Sequence, residues 1–422
     1  MKSHAHKDTI HLDTAGFTPN LAHRHRVGWA WLLVFQVSTI VGIIVLTTLL
    51  LNIINGAFGY AAVENKVDPD TLAVNGVPLE DLPKEELIRI LRENISAGLY
   101  RRLESEIPLA ERERLDVYNL VLERVVQPRV VKQWSLQDSL FRSAQVKAEA
   151  ATSYPKAELQ FKSWLNSQFI RNPQSAKAES AGVRTAILGS LWTVGIAILF
   201  AFPIGVGGAI YLEEYAGDSV VNRIIRTNIN NLAGVPSIIY GMLGLAIFVR
   251  ALEPLTSGAL LGYVTDPTTA NGRTILSAGL TLGLLILPVI IINAQEAIRA
   301  VPSSLRQASF GIGATKWQTV WHHVLPNALP GILTGTILAI SRAMGETAPL
   351  VVIGASTFIN IDPNGPFSKF TTLPIQIYQW TSRPQDVFRN IAAAAIIVLV
   401  LLLLSLNASA VLLRNRFSRR LD

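Results

Sequence analysis

The chain of 422 residues contains no cysteine, so a disulfide framework and a thiolate metal site are both excluded, while the redox compartment is left undecided. Charge is scarce too, at 16% of residues, well short of a typical soluble domain. Also missing is any G-x-x-x-x-G-K-[ST] stretch, the loop whose backbone amides cradle nucleotide phosphates, so the chain is not its own ATPase. What it has in quantity is apolar side chains, 50% of the total. Part of the solvent for such a sequence is lipid. A net charge of +7 would suit nucleic acid, but most of the imbalance sits in short segments beside apolar runs, where it sets orientation in a membrane.

The first apolar run, Gly28 to Ile54, carries no charge. At about 1.5 Å per helical residue it exceeds a hydrocarbon core of about 30 Å, and it is too long for the apolar core of a signal peptide. It reads as an uncleaved first crossing (28–54), with Arg24 and Arg26 on the cytoplasmic side and Trp29 and Trp31 at the interface. The polar tail 1–27 holds His4, His6, His11, His23 and His25. Without carboxylate or thiolate partners at fixed spacing it reads as a solvated cytoplasmic tail rather than a metal site.

Five further runs follow: Thr185 to Leu212, Leu232 to Val249, Ile275 to Ala294, Ala328 to Thr357 and Ile391 to Leu413. The expected fold is an all-α polytopic membrane protein of about six transmembrane helices, five of them in a core spanning 179–413. Six crossings return the C-terminus to the cytoplasm, and the basic tail 414–422, with Arg414, Arg416, Arg419 and Arg420, agrees with that orientation. Arg223 and Arg226, between the second and third runs, read as topology signals. Arg184, Arg250 and Arg273, near span ends, either snorkel toward headgroups or attract anions.

Between the first and second runs, residues 55–178 change character. Charges of both signs are dense, and helical spacing recurs at Leu87, Ile90, Leu91, Ile95, at Val117, Leu120, Val121, Val125, and at Phe161, Trp164, Leu165, Phe169. The six-span topology puts this mostly helical insert on the periplasmic side. It serves as a brace, as a contact for a partner subunit, or as a docking surface for an external binding protein.

A polar interruption, 296–326, lies on the cytoplasmic side between the fourth and fifth runs. Pro302 opens a short helix on which Leu305, Ala308 and Ile312 share a face, Gly311 and Gly313 end it, and Trp317, Val320, Trp321 and Val324 trace a second helix up to Pro326. Two short helices on a glycine hinge form an elbow with exposed apolar faces, suited to insertion into a partner's groove. In the fifth run, Arg342 and Glu346 stand one helical turn apart inside apolar sequence. They either neutralise each other, contact a neighbouring subunit, or line a pathway, and intramembrane ionisable groups favour the last.

The elbow resembles the EAA loop of ABC importer permeases, in which Glu-Ala-Ala is followed by Gly after three residues and later by Ile-x-Leu-Pro. Gln307, Ala308, Ser309, Gly313, His323, Leu325 and Pro326 occupy those positions, with Gln for Glu, Ser for the second Ala and His for Ile. GVGGAIYLEEYA from Gly205, GVPSIIYG from Gly234, LPVIIINAQEAIRAVP from Leu287 and SRAMGETAPL from Ser341 are similar to the PstA family of phosphate-importer permeases. The likeness runs from about Gly182 to the C-terminus. It implies a MetI-like permease bundle, a non-enzymatic transport subunit that binds no cofactor, and ATP used by a separate ATPase docked on Gln307, Ala308, Ser309, Gly313, Leu325 and Pro326. The implied partners are a PstC-like permease, a PstB-like ATPase dimer, a PstS-like periplasmic binding protein and the lipid bilayer, with no nucleic acid.

The chemistry of Arg342 and Glu346 suits that substrate. Arginine presents a rigid fork of donors to a tetrahedral oxyanion at any relevant pH. Phosphate near neutral pH carries a proton that a carboxylate can accept in a hydrogen bond, whereas sulfate carries none, so Glu346 either rejects sulfate or tunes Arg342. A permease for sulfate or molybdate, and a membrane sensor without transport, are the alternatives.

Overall fold

The computed structural model describes residues 20–74, 76–106, 108–263, 271–355 and 358–418. His4, His6 and His11 of the tail, Thr357 at the end of the fifth run, and Arg419 and Arg420 lie outside the described residues. The chain divides into two compact units, Met1–Asn52 and Ile53–Asp422.

The first unit is the greater part of one helix, α1 (Leu21–Ala57), whose side chains are exposed as far as Asn52. A helix that is apolar all round belongs in hydrocarbon. Three of its polar side chains are satisfied within the helix: Ser38, Thr39 and Thr48 each donate to the carbonyl four residues back. Trp31 stacks on Phe35 near its start, with ring centroids 5.9 Å apart.

In the second unit the last turn of α1 leads directly into β1 (Phe58–Glu64), the centre of a three-stranded antiparallel sheet in the order β2-β1-β3, with β2 at Arg129–Gln133 and β3 at Glu158–Ser163. Between β1 and β2 lie α2 (Lys84–Asn94), α3 (Ala97–Glu106) and α4 (Arg114–Val121), which close over a core that includes Leu87, Ile90, Leu91, Val117, Val121 and Val125. The helical spacing of those stretches therefore reads correctly. α5 (Leu136–Phe141) and α6 (Ser143–Ser153) separate β2 from β3, and α7 (Ser167–Arg171) follows.

The insert is mostly helical, but the sheet departs from the sequence expectation. Phe161, Trp164, Leu165 and Phe169 do not share one helix: Phe161 lies in β3 and only Phe169 lies on a helix, α7. Pairing across the sheet overrides the local period. Phe161 sits opposite Tyr60 with an edge-on ring contact of 5.7 Å, and Trp164 Nε1 donates to Gln133 at 2.5 Å.

The remaining elements form the bundle: α8 (Arg184–Ile210), extended by a widened π-type turn to Tyr215, α9 (Val220–Ala233), α10 (Ser237–Gly244), α11 (Glu253–Thr256), α12 (Ile275–Arg299), α13 (Ser303–Gly311), α14 (Lys316–Thr319), α15 (Leu325–Gly345), α16 (Ala348–Ile353), α17 (Leu373–Thr381) and α18 (Asp386–Ser418). Among the described residues, five helical stretches are long and apolar enough to cross a membrane, and a bent pair makes a sixth. α12 runs through the middle, with Leu282, Leu285, Ile286 and Ile290 buried against α8 and α15. The insert is fastened to this bundle: Ala57, Ala61, Val130, Trp164 and Phe169 share one core with Leu373, Trp380, Phe388 and Ile391 of α17 and α18.

Two crossings are interrupted, not straight. Leu232 to Val249 breaks around Gly234 to Pro236, where α9 and α10, carried on by a π-type turn, meet at 106°. Ala328 to Thr357 breaks between α15 and α16. Proline marks both breaks: Pro236 disfavours a helical residue before it, and Pro349 sits in the first turn of α16, where its missing N–H leaves the last carbonyl of α15, four residues back, without a helical partner. Pro203 and Pro288 are instead carried inside α8 and α12.

Candidate functional site

Arg342 occupies the last turn of α15, and Glu346 is the residue at which that helix stops, its backbone extended at φ −75° and ψ 121°. The sequence expectation of one uninterrupted helix through both is therefore corrected. The two side chains still meet, Arg342 Nε to Glu346 Oε1 at 3.4 Å, with 38% and 20% of their side chains exposed. Ala339 and Ala343 of the same helix face the core, whereas Leu338 and Arg342 face outward. A guanidinium on an outward face within apolar sequence needs a water-lined route or another subunit opposite it.

The second helix break faces the first. Gly241 of α10 packs on α16 so closely that a Cβ there would lie 2.6 Å from the Pro349 Cα, a backbone atom that cannot yield. One residue earlier, Tyr240 is buried and its hydroxyl donates to the Leu232 carbonyl at 2.7 Å, stapling α10 to the end of α9 across the bend. Discontinuous helices brought together at mid-bundle are how transporters expose backbone polarity to a substrate without exposing it to lipid.

At the elbow, α13 ends as its glycines require. Gly313 adopts φ +86°, its N–H donates to Phe310 O at 2.9 Å, and Ala314 N–H donates back to Ser309 O at 3.1 Å. That pair of bonds is a left-handed helix cap, which a glycine enters without steric cost. Thr315 then opens α14 with a reciprocal capping box to Gln318. Gln307, Ala308 and Gly313 are exposed, Leu325 and Pro326 half-buried. Ile312, Trp317 and Trp321 are exposed as well, and the two indoles stack with centroids 5.4 Å apart, leaving an apolar face on the elbow.

Two expectations about the elbow change. Ser309 does not face outward: it is buried and shares a 2.8 Å hydrogen bond with Thr319, so it ties the two elbow helices together. Nor does Pro326 stop the second helix. Its ring would strike the carbonyl four residues back in a regular turn, but a π-type turn over Val320–Val324, closed by Leu325 N–H to Val320 O, widens the backbone there. α14 thereby runs on into α15, so the second elbow helix and Arg342 lie on one continuous helical stretch of 30 residues.

Arg184 is not bare: its Nε pairs with Asp362 Oδ2 at 2.8 Å. Sequence reasoning also passed over Glu213 and Glu214, which hold arginines of α9, α12 and α13. Their signal was two acids ending an apolar run. Their partners on α12 and α13 stand 86 and 92 residues away, beyond any local pattern.

Residues 186–422 match the family described as binding-protein-dependent transport system inner membrane component. The probable ABC transporter permease protein YqgI of Bacillus subtilis (strain 168) is 36% identical over 219 residues, covering 51% of this chain and 68% of that protein. The phosphate transport system permease protein PstA 1 of Mycobacterium tuberculosis (strain CDC 1551 / Oshkosh) is 35% identical over 243 residues, covering 57% and 73%. The phosphate transport system permease protein PstA of Haemophilus influenzae (strain ATCC 51907 / DSM 11121 / KW20 / Rd) is 31% identical over 220 residues, covering 52% and 71%. The family match starts just inside α8, so α1 and the insert stand outside it. With its bundle of apolar helices and the elbow between two of them, the chain belongs to the family of inner-membrane permease components of binding-protein-dependent ABC transporters.

Proposed function

We infer that the chain is the transmembrane permease subunit of an ATP-driven importer of inorganic phosphate, set in a bacterial inner membrane with both termini in the cytoplasm and the insert in the periplasm. The observation that carries this reading is Arg342, held at a helix break, paired with Glu346, and turned away from the subunit's own core. Such a charge is costly against lipid, so a second, PstC-like permease faces it and completes the pathway. The guanidinium fork receives the tetrahedral anion, and Glu346 accepts a hydrogen bond from the phosphate hydroxyl that sulfate lacks. Relatives named as phosphate permeases give the same substrate.

The elbow supplies the drive. Its exposed apolar face, with Gln307, Ala308 and Gly313, docks into a PstB-like ATPase dimer that burns the ATP, while this chain binds no cofactor and catalyses no reaction. Leu325 and Pro326 carry the motion into α15, which shifts the side to which Arg342 is open. A PstS-like binding protein delivers phosphate on the periplasmic side. The reading is tested by isotope uptake in cells lacking their own phosphate permeases and supplied with this chain and its partner subunits. Energy-dependent phosphate uptake is expected; uptake of sulfate or molybdate in its place would overturn the substrate.

A further inference from the structure

Glu213 and Glu214 lie in the widened turn that ends α8, and their side chains are only 11% and 12% exposed. Adjacent buried carboxylates are costly unless each is paired. Glu213 gathers three donor side chains from two elements: Gln295, from Nε2 at 2.9 Å, and Arg299, from Nη2 at 3.0 Å and Nε at 3.4 Å, both on α12, and Arg226, from Nη1 at 3.4 Å, on α9. Arg226 also donates to the Leu212 carbonyl, closing the end of α8 onto α9. Glu214 receives the elbow. Arg306 of α13 donates to Glu214 Oε1 from Nη2 at 2.7 Å and from Nε at 3.0 Å.

The rest of the Arg306 guanidinium is used as well. Its Nη1 donates to Val301 O at 2.7 Å and its Nη2 to Ile298 O at 2.9 Å, both at the end of α12 where the helix dipole favours a cation. One rigid fork therefore grips the first elbow helix, the end of α12 and the end of α8 together. By chain connection alone, a push on the elbow reaches only α12 and α15.

We propose that Arg306 and Glu214, with Glu213 behind them, are positioning residues that pass the elbow's displacement to α8 and α9, so that the elbow end of the bundle moves as one body. This rests on the reading of the elbow as the part driven by an ATPase. Neither side chain touches substrate. Breaking the clamp leaves ATP hydrolysis running while less anion moves per ATP.

The test uses the complete transporter in proteoliposomes and reads phosphate taken up per ATP hydrolysed, for wild type, Glu214→Gln, Arg306→Lys and the double variant. Glu214→Gln keeps the size of the side chain and removes its charge; Arg306→Lys keeps the charge and removes the fork. Hydrolysis stimulated by loaded binding protein is expected to persist, the ratio to fall about tenfold in each single variant, and the double variant to fall no further than the worse single. An unchanged ratio overturns the proposal, whether uptake and hydrolysis both stay at wild-type levels or fall together, because a merely structural defect scales both. Where Glu214→Gln fails to assemble, Arg306→Lys decides by the same ratio. A wild-type complex that hydrolyses ATP without moving phosphate would count against the substrate, and the ratio is then read with whichever oxyanion it does carry.

Discussion

Gly313 offers a perturbation whose size follows from backbone geometry alone. Its φ of +86° lies in the left-handed region, and a Cβ built there meets nothing within 4 Å, so no clash contributes. An L-residue in that conformation costs about 1–2 kcal/mol, less for asparagine, and the β-branched valine is the worst case. The bent elbow, held by the Gly313 and Ala314 amides on Phe310 and Ser309, then loses about 5- to 30-fold against straighter forms. Phosphate uptake and co-purification of the ATPase are the assays, with the amount of permease in the membrane as control. Activity should fall in the order Gly, Asn, Ala, Val at constant membrane level, with Val down by about tenfold or more. Valine as active as glycine, or asparagine as poor as valine, would refute the claim that this cap sets the elbow.

Other changes have equally definite outcomes. Glu346→Gln keeps an acceptor oxygen but removes its charge, weakening a charge-assisted bond of about 1.5–3 kcal/mol to an ordinary one of about 0.5–1.5 kcal/mol, so the preference for phosphate over sulfate should narrow by about tenfold in isotope uptake. Ser309→Ala strands the buried Thr319 hydroxyl at a cost of about 1–3 kcal/mol. Trypsin cleavage at the exposed Lys316 should accelerate, and adding Thr319→Val should recover part of the loss. In the insert, burial pushes the Lys162 ammonium below its ordinary pKa of 10.5, with Glu179 opposing more weakly. The unfolded chain then binds more protons, so the insert's stability should rise with pH from the lowered value toward 10.5, and Lys162→Met should flatten that slope in denaturant titrations.

Local periodicity made the bundle legible. Apolar runs marked the five helical stretches and the bent pair that are long and apolar enough to cross a membrane among the described residues, and the three-and-four spacing of Leu87, Ile90, Leu91 and of Val117, Val121 marked helices whose cores form within a few turns. It failed at Phe161 to Phe169, where a cross-strand partner 101 residues away, Tyr60, decides the conformation of Phe161. Prolines were legible as disturbances but not by kind. Pro203 bends no assignment, Pro349 opens α16 just past the end of α15, and Pro326 is absorbed by a wide turn whose hydrogen bonding no composition announces. Arg342 and Glu346 stood out because charge in apolar sequence is rare, whereas the more deeply buried Glu213 and Glu214 looked like an ordinary span end until their distant arginines were placed beside them.

The most direct test of the account removes the intramembrane cation while leaving the elbow intact. In proteoliposomes holding the complete transporter, Arg342→Gln deletes a charge-assisted fork, and by the size of such bonds phosphate uptake should drop by about 30- to 100-fold. ATP hydrolysis should continue, since the elbow and its clamp are untouched. Uptake at the wild-type rate from Arg342→Gln would contradict the claim that the anion passes this residue.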